Sequence, residues 1–137
     1  MEIKTIILDT NAYVEFKKGN KDAIEIIRRV NNILLCPIVI GELIGGFVLG
    51  NKEKKNRKEL SDFMSSKRVF SIKIDNNTSE IFGQIFKELQ LKGKPIPTND
   101  MWIGAIAKQY KLPIFTYDKH FSEISSIKII KKQEDII

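Results

Sequence analysis

The sequence contains only one cysteine among its 137 residues, so no disulfide bond can form within the chain. That residue, Cys36, lies inside an apolar run, where a thiol is typically buried and inert. Chains without disulfide bonds are typical of reducing compartments. The scarcity of cysteine therefore favours a cytoplasmic protein.

The sequence also has no uninterrupted hydrophobic run of the length that a membrane span needs. Its first apolar run is short and ends at Asp9, which is not the layout of a signal peptide. The longer stretch 33–50 is interrupted by Pro37 and Glu42, so a strand followed by a helix explains it better than a span. We therefore expect a soluble protein with no membrane partner.

Acidic residues are outnumbered by basic ones, with 17 Asp and Glu against 23 Lys and Arg. The formal net charge of +6 and the pI of about 9.4 suggest a polyanionic partner. A lysine-rich, solubilising surface would explain the same charge. The length and the 42% hydrophobic content are those of one soluble globular domain, which we expect to comprise residues 1–137.

The pattern of apolar residues predicts short strands that alternate with helices. Strands are predicted at residues 3–8, 33–36, 69–74, 114–116 and 127–130. Helices are predicted at residues 11–18, 21–31, 37–49, 51–66, 77–91 and 98–110, with a turn or single helical turn at 118–121. This order predicts an α/β fold, a three-layer α/β/α sandwich around a mostly parallel sheet of about five short strands.

Four acidic residues lie next to element ends that share one edge of such a sheet. Asp9 ends the first strand, and Asp118 lies two residues beyond the strand at 114–116. Glu42 falls in the first turns of the helix that leaves the second strand. Asp100 begins a helix that feeds the strand at 114–116, so this helix must start at the edge where the strands end. Because ligands bind outside the carboxyl ends of parallel strands, we expect all four acids to line one crevice.

Each acid taken alone also has a structural explanation. Asp9 could cap a helix, Asp100 suits the positive end of a helix, and Asp118 could close an Asx turn. Glu42 is harder to explain in this way, because a lone charge in an apolar helix is costly unless it is paired or metal-bound. The four acids together favour a shared function.

A cluster of carboxylates needs a cation if all its members are to stay ionised. Oxygen ligands without a nearby histidine or cysteine point to Mg²⁺ or Mn²⁺ rather than zinc. Such an ion can activate a water molecule and stabilise the charge that develops on a phosphodiester oxygen. The acidic cluster, the hard metal ion and the basic surface together suggest a nuclease.

The segments that carry these acids resemble the motifs of PIN-domain ribonucleases, most closely the VapC-type toxins of toxin–antitoxin pairs. They are Leu8-Asp9-Thr10-Asn11, Glu42-Leu43, residues 99–107 with the sequence NDMWIGAIA, and residues 116–121 with the sequence TYDKHF. The four segments occur in the family's order over essentially the whole chain, and all four acidic positions are kept.

The resemblance implies a Mg²⁺-dependent endoribonuclease, with Mn²⁺ as a substitute ion. Asp9 and Asp100 would be the principal metal ligands, and Glu42 and Asp118 would complete the site, partly through water. The activated water would attack in line and leave a 5′-phosphate and a 3′-hydroxyl. The residues expected to support the acids through polar contacts are Thr10, Asn11, Asn99 and Thr116.

The resemblance also implies protein partners. A cognate antitoxin would block the site with a C-terminal segment that places a basic residue among the acids. The helix from residue 38 is apolar on nearly every side, so it is either buried all round or covered by a second chain. This helix and the basic helix after it resemble the family's antitoxin-clamping and dimerising region, so we expect a homodimer.

The expected substrate is RNA, and loops of tRNA and of rRNA are both compatible with the sequence. The residues proposed to contact it are Lys52, Lys54, Lys55, Arg57, Lys58, Lys119 and His120, with Lys17 and Lys18 as further candidates. A solvated helix face is the ordinary explanation for the basic run 52–58. Trp102 could stack on a base, although its helical spacing favours the core or the crevice wall.

Three other functions share features with this sequence. A PIN nuclease of RNA processing would lack an antitoxin, and an antitoxin-like reading frame just upstream would separate the two. A non-catalytic module would bind RNA or protein only, but the retention of all four acids argues against it. A haloacid-dehalogenase-like phosphatase is set aside, because it wants a second Asp where this chain has Asn11.

Overall fold

The computed structural model describes residues 2–137 and contains a sheet of five parallel strands. The strands are β1 (Thr5–Leu8), β2 (Asn32–Leu35), β3 (Val69–Ser71), β4 (Ile114–Phe115) and β5 (Ile129–Ile130). Four of them lie within the predicted runs, and β2 is shifted by one residue toward the N-terminus, since it begins at Asn32 instead of residue 33. The predicted α/β fold with about five short strands is confirmed.

Six α-helices and two 3₁₀ segments connect and flank the strands. The helices are α1 (Thr10–Lys17), α2 (Lys21–Arg29), α3 (Pro37–Leu49), α4 (Glu53–Met64), α5 (Asn76–Lys92) and α6 (Thr98–Tyr110). The 3₁₀ segments are Lys119–Glu123 and Gln133–Ile136. Local signals explain several boundaries: Pro37 occupies the first turn of α3, and Gly93 ends α5 with a φ of 65°.

The strand order β3-β2-β1-β4-β5 places β1 at the centre of the sheet. From β1 the chain moves outward through β2 to β3, and α5 and α6 then carry it back to β4 on the other side of β1. Because crossovers between parallel strands are right-handed, the helices that connect β1, β2 and β3 lie on one face of the sheet, and α5 and α6 lie on the opposite face. The reversal of direction beside β1 is the switch point where an open α/β sheet leaves a crevice.

The core is built around β1, whose residues Ile6, Ile7 and Leu8 are completely buried. Ile7 pairs with Leu34 of β2 on one side and with Ile114 of β4 on the other. The apolar run that predicted a doubly covered strand is therefore confirmed. Because β1 is held on both sides, the residue that follows it is placed firmly.

Two local expectations are resolved by the structure. Asp9 occupies the N-cap position of α1, but its side chain makes no capping hydrogen bond, so capping does not explain this acid. Helix α3 is not buried all round within the chain, because Val48 and Leu49 near its end are exposed.

Cys36 is a free, buried thiol, and burial raises its pKa, as expected for an inert cysteine. No helix among residues 2–137 combines the length and the apolar character that crossing a bilayer requires.

Candidate active site

The four predicted acids meet at the carboxyl edge of the sheet. Asp9 follows β1, Glu42 lies in the second turn of α3, Asp100 lies in the first turn of α6, and Asp118 follows β4. All four line one open pocket of about 420 Å³. The structure thus brings together acids that are as far apart as 109 positions in the chain, from Asp9 to Asp118.

Asp9 is the most buried of these acids, with 4% of its surface exposed. Its Oδ2 accepts a hydrogen bond of 2.7 Å from the hydroxyl of Thr116, which is itself completely buried. Burial raises the pKa of Asp9 to about 6, and the neighbouring Asp100 and Glu42 add to this rise. A carboxylate in this position is therefore costly to ionise unless a cation is near.

Glu42 is oriented by two polar side chains that had been expected to support the site. Thr10 donates from Oγ1 to Glu42 Oε1 at 2.6 Å, and Asn99 donates from Nδ2 to Glu42 Oε2 at 3.2 Å. Both carboxylate oxygens are thus engaged, one by α1 and the other by α6. These bonds explain how a charge is accommodated on the apolar helix α3.

A second set of hydrogen bonds shapes the turn that carries Asp118. Thr116 Oγ1 accepts from the backbone N–H of Asp118 at 3.0 Å, and Asn11 Oδ1 accepts from the N–H of Tyr117 at 3.0 Å. Asp118 Oδ1 in turn accepts from the N–H of His120 at 2.9 Å, which is an Asx-type turn. The turn explanation and the functional explanation for Asp118 are therefore compatible.

His120 lies against two of the acids, which the sequence did not predict. Its Nδ1 is 2.9 Å from Asp100 Oδ2 and 3.0 Å from Asp118 Oδ1. This contact raises the pKa of the imidazole above its ordinary value, while burial is the main cause of a raised pKa at Asp100. The description of the cluster as free of histidine was therefore wrong. The spacing of two residues after Asp118 was the only signal of this contact in the sequence.

The donor set suits a divalent cation. Asp100, Asp118 and His120 each offer one ligand atom, and the three atoms lie within 4.8 Å of one another. Asp9 and Glu42 add carboxylates to the same pocket. An arrangement of mostly hard oxygen donors, open to solvent on one side, fits an ion that keeps some of its waters.

A basic groove borders the acidic pocket and shares Val14 and Lys18 with it. The groove measures about 380 Å³ and runs between α1, the end of α3 and α4. Besides the shared residues, it is lined by Tyr13, Lys17, Phe47, Lys52, Lys55, Asn56 and Glu59. Four lysines and one glutamate thus line the groove, and Glu59 forms ion pairs of 3.6 Å with Lys17 and with Lys55.

The other basic residues proposed to contact RNA divide into two groups. Arg57 and Lys58 form ion pairs along α4 with Glu53 and Asp62, as expected for a solvated helix face. Like Lys54, they do not line the basic groove. Lys119 is exposed at the start of the 3₁₀ segment beside the acids.

Trp102 is half-buried and stacks on Phe82 of α5, with 4.2 Å between the ring centroids. This contact supports the packing explanation for Trp102 rather than stacking on a base. Separately, α3 and α4 enclose a small, mainly apolar pocket of about 220 Å³. It is lined by Ile40, Ile44, Arg57, Leu60, Ser61 and Met64.

Comparison with known proteins agrees with this arrangement. The family described as PIN domain matches residues 6–127 of the chain. The chain is 28% identical over 126 residues to ribonuclease VapC2 of Rickettsia felis, covering 88% of this chain and 92% of that protein. It is 23% identical over 129 residues to ribonuclease VapC5 of Mycobacterium tuberculosis, covering 91% and 93% respectively.

Solved structures give the same result. The crystal structure of VapBC2 from Rickettsia felis, bound to a promoter DNA fragment, matches with a TM-score of 0.82 and 25% identity, covering 94% of this chain and 99% of that one. The DNA-bound VapBC of Salmonella typhimurium matches with a TM-score of 0.81 and 27% identity, covering 93% and 97%.

Proposed function

Because the chain belongs to the PIN-domain family, we propose that it is a metal-dependent endoribonuclease and the toxin of a VapBC-type toxin–antitoxin pair. Its similarity to proteins named VapC ribonucleases supports the activity. The observation that carries the proposal is the meeting of Asp9, Glu42, Asp100 and Asp118 in one pocket. Residues 1–137 would form a single domain of this family.

The buried position of Asp9 supports a cation at the site. A carboxyl group with a pKa of about 6 beside two other acids is costly to keep ionised at neutral pH, and a bound divalent ion would lower this electrostatic cost. Asp9 and Asp100 would be the principal ligands, and Glu42 and Asp118 would complete the site, partly through water. Mg²⁺ or Mn²⁺ fits this donor set.

The side chains around the acids hold them in place for the reaction. Thr116 fixes one oxygen of Asp9, while Thr10 and Asn99 fix both oxygens of Glu42. Asn11 holds the turn that presents Asp118. A bound divalent ion would supply an activated water and stabilise charge on the phosphodiester, so that cleavage leaves a 5′-phosphate and a 3′-hydroxyl.

The basic groove would hold the RNA backbone beside the scissile bond. Lys18 borders both the acidic pocket and the groove, and Lys52 and Lys55 continue the positive charge along it. Lysine side chains bind phosphates irrespective of base identity, so they would position the strand without selecting its sequence. A single-stranded loop of tRNA or rRNA fits a groove of this kind.

The exposed apolar surface of α3 supports protein partners. Val48 and Leu49 are exposed at the end of this helix, with 49% and 90% of their surfaces accessible. Exposed apolar surface of this kind favours a protein interface. A cognate antitoxin and a second copy of the chain are the partners that we propose for this side of the molecule.

The first experiment is cleavage of structured RNA by the purified chain, free of antitoxin, with Mg²⁺, with Mn²⁺ and with EDTA. The wild type is compared with Asp9→Asn, which keeps an oxygen that can accept the hydrogen bond from the Thr116 hydroxyl. Glu80→Gln is the matched control, because Glu80 is exposed on α5, away from the pocket. We expect cutting only by the wild type and Glu80→Gln, and only with a metal ion.

The outcomes separate the remaining candidates. Equal cutting by Asp9→Asn would mean that another site or a contaminant is responsible, and the proposed active site would fail. A folded, antitoxin-free wild type that cuts no RNA with either ion would favour the non-catalytic binding module. Cutting without any copurifying or encoded antitoxin would favour an RNA-processing nuclease.

A further inference from the structure

The imidazole of His120 lies where a ligand of the proposed metal ion would lie. Its Nδ1 is nearly equidistant from Asp100 Oδ2 and Asp118 Oδ1, at 2.9 and 3.0 Å. Adjacent ligands in an octahedral site with bonds of about 2.1 Å are separated by about 3.0 Å. Both nitrogen–oxygen distances therefore match the spacing of neighbouring ligands around one ion, and the three ligand atoms lie within 4.8 Å of one another.

The backbone holds His120 in this position. The N–H of His120 donates to Asp118 Oδ1 at 2.9 Å, which closes the turn at the start of the 3₁₀ segment. The same carboxylate oxygen thus lies close to both the backbone and the ring of His120. Phe121, the next residue, is completely buried and anchors the segment on the core. The imidazole is consequently delivered to the acids by a fixed turn rather than by a free surface side chain.

A nitrogen ligand changes which ion a carboxylate site prefers. Mg²⁺ prefers oxygen ligands and retains its waters, whereas imidazole suits first-row transition ions. The side chain of His120 is 47% exposed, so an ion can reach it from solvent and replace the Nδ1 proton, which is released to water. A site with this nitrogen donor should therefore differ more in its affinities for Mg²⁺ and for a transition ion than a site made of carboxylates alone.

We propose that His120 Nδ1 is a further ligand of the metal site formed with Asp100 and Asp118, and that it makes this site favour Mn²⁺ over Mg²⁺. The inference rests on the proposed function, because it concerns the same metal site. It assigns His120 a role at the ion in place of the RNA contact considered from the sequence.

Metal binding tests the proposal directly, without RNA. Mn²⁺ is titrated at pH 8 into the wild type, His120→Asn, Asp100→Asn and Lys119→Arg, and the loss of the free-ion EPR signal gives the affinity. Lys119→Arg is the matched control, since it changes the neighbouring residue and keeps its charge. Competition with Mg²⁺ measures the preference, and pulsed EPR detects a nitrogen nucleus coordinated to Mn²⁺.

We expect nitrogen coordination in the wild type and in Lys119→Arg, and none in His120→Asn. The Mg²⁺ concentration that displaces half of the Mn²⁺ should fall about tenfold in His120→Asn, the lower end of the loss seen when a metal site loses a supporting group. Mn²⁺ bound by the wild type without nitrogen coordination would overturn the proposal. So would an unchanged preference in a folded His120→Asn.

The two proposals fail in different ways. A wild type that binds Mn²⁺ through nitrogen but cuts no RNA would support the ligand role of His120 and overturn the nuclease. A wild type that cuts RNA and binds Mn²⁺ through oxygen alone would do the reverse. Asp100→Asn should lose affinity for both ions, because it removes a carboxylate ligand under either outcome.

Discussion

The two edges of the parallel sheet differ in a way that shows what makes a pocket functional. The carboxyl edge carries an open pocket of about 420 Å³ lined by Asp9, Glu42, Asp100 and Asp118. The amino edge carries a larger pocket of about 620 Å³, whose charged lining includes Lys108, Lys111 and Lys128. Size alone would select the wrong pocket, whereas the burial of charge selects the acidic one.

Each edge also contains one completely buried threonine, and the comparison of these two residues is instructive. Thr116 donates to Asp9 and accepts from the backbone of Asp118, so it serves the acids. Thr78 donates to Gln109 and accepts from the N–H of Asp75, so it joins α5 to α6. The same residue type supports chemistry at one edge and packing at the other.

The largest effect should come from removing one acid at the carboxyl edge. Asp100→Asn should reduce RNA cleavage about a hundredfold or more, because it removes a principal metal ligand. Lys128→Gln at the amino edge should change the rate less than about twofold. Initial rates of cleavage under saturating metal ion measure both. Equal losses in the two variants would erase the functional distinction between the edges.

The second prediction concerns the stability cost of keeping Asp9 buried. Asp9 has a pKa of about 6 in the folded chain, above the ordinary value of 3.8. The folded state therefore holds a proton between these pH values that the unfolded state releases, and stability falls as pH rises from about 4 to about 6. The loss amounts to at most about 3 kcal/mol above pH 6.

Asp9→Asn should therefore raise the Tm of the metal-free protein at pH 7.5, even though we expect it to abolish cleavage. Thermal unfolding across pH measures the gain, which should vanish near pH 4. Added Mg²⁺ or Mn²⁺ should reduce the difference in Tm between Asp9→Asn and the wild type, because the ions stabilise the wild type more than the variant. A variant that is less stable than the wild type at pH 7.5 without metal would contradict this account.

The third prediction compares the two buried threonines. Thr116→Val should reduce cleavage about tenfold, because Asp9 loses the donor that orients it, and should cost about 1–2 kcal/mol of stability. Thr78→Val should cost a similar free energy of unfolding without reducing the cleavage rate of the folded enzyme. Denaturant unfolding and cleavage assays on the same samples separate the two effects. A loss of cleavage in Thr78→Val would argue against a local role for Thr116.

The smallest effect should come from the lysines beside the acidic pocket. Changing Lys18, Lys52 and Lys55 together to Gln should weaken RNA binding several-fold and lower the slope of log K against log salt by about 2. The triple change of Lys108, Lys111 and Lys128 to Gln is the matched control at the amino edge. Each triple change is made in the Asp100→Asn variant, which we expect to be catalytically inactive. RNA binding by both proteins, measured across salt concentrations, then provides the two slopes. Similar slopes for the two triple variants would mean that RNA does not bind preferentially along the basic groove.

The sequence contained enough information for the sheet and for the four acids. A continuous apolar run ending in Asp9 predicts a buried strand whose next residue faces the crevice. Asp100 and Asp118 could be placed because a helix that feeds a strand must run from one edge to the other. These predictions depend on chain direction, which local patterns reveal.

Some contacts could not be predicted, because they depend on how separate elements pack. The basic groove brings Lys18, directly after α1, close to Lys52 and Lys55, which are distant from it in the chain. Aromatic contacts such as that between Tyr13 and Phe63 hold α1 against α4. The helix from residue 38 is apolar on nearly every side, yet packing leaves Val48 and Leu49 exposed near the end of α3.

By itself, the sequence determined the α/β architecture, the order of its elements and the residues that carry charge to the carboxyl edge. Periodicity and chain direction are properties of local segments, so a single sequence reveals them. Only the tertiary structure decided that Thr116 bonds Asp9, that His120 lies between Asp100 and Asp118, and which lysines border the acids. Those contacts join side chains from different elements at distances of a few ångströms, and only packing sets such distances.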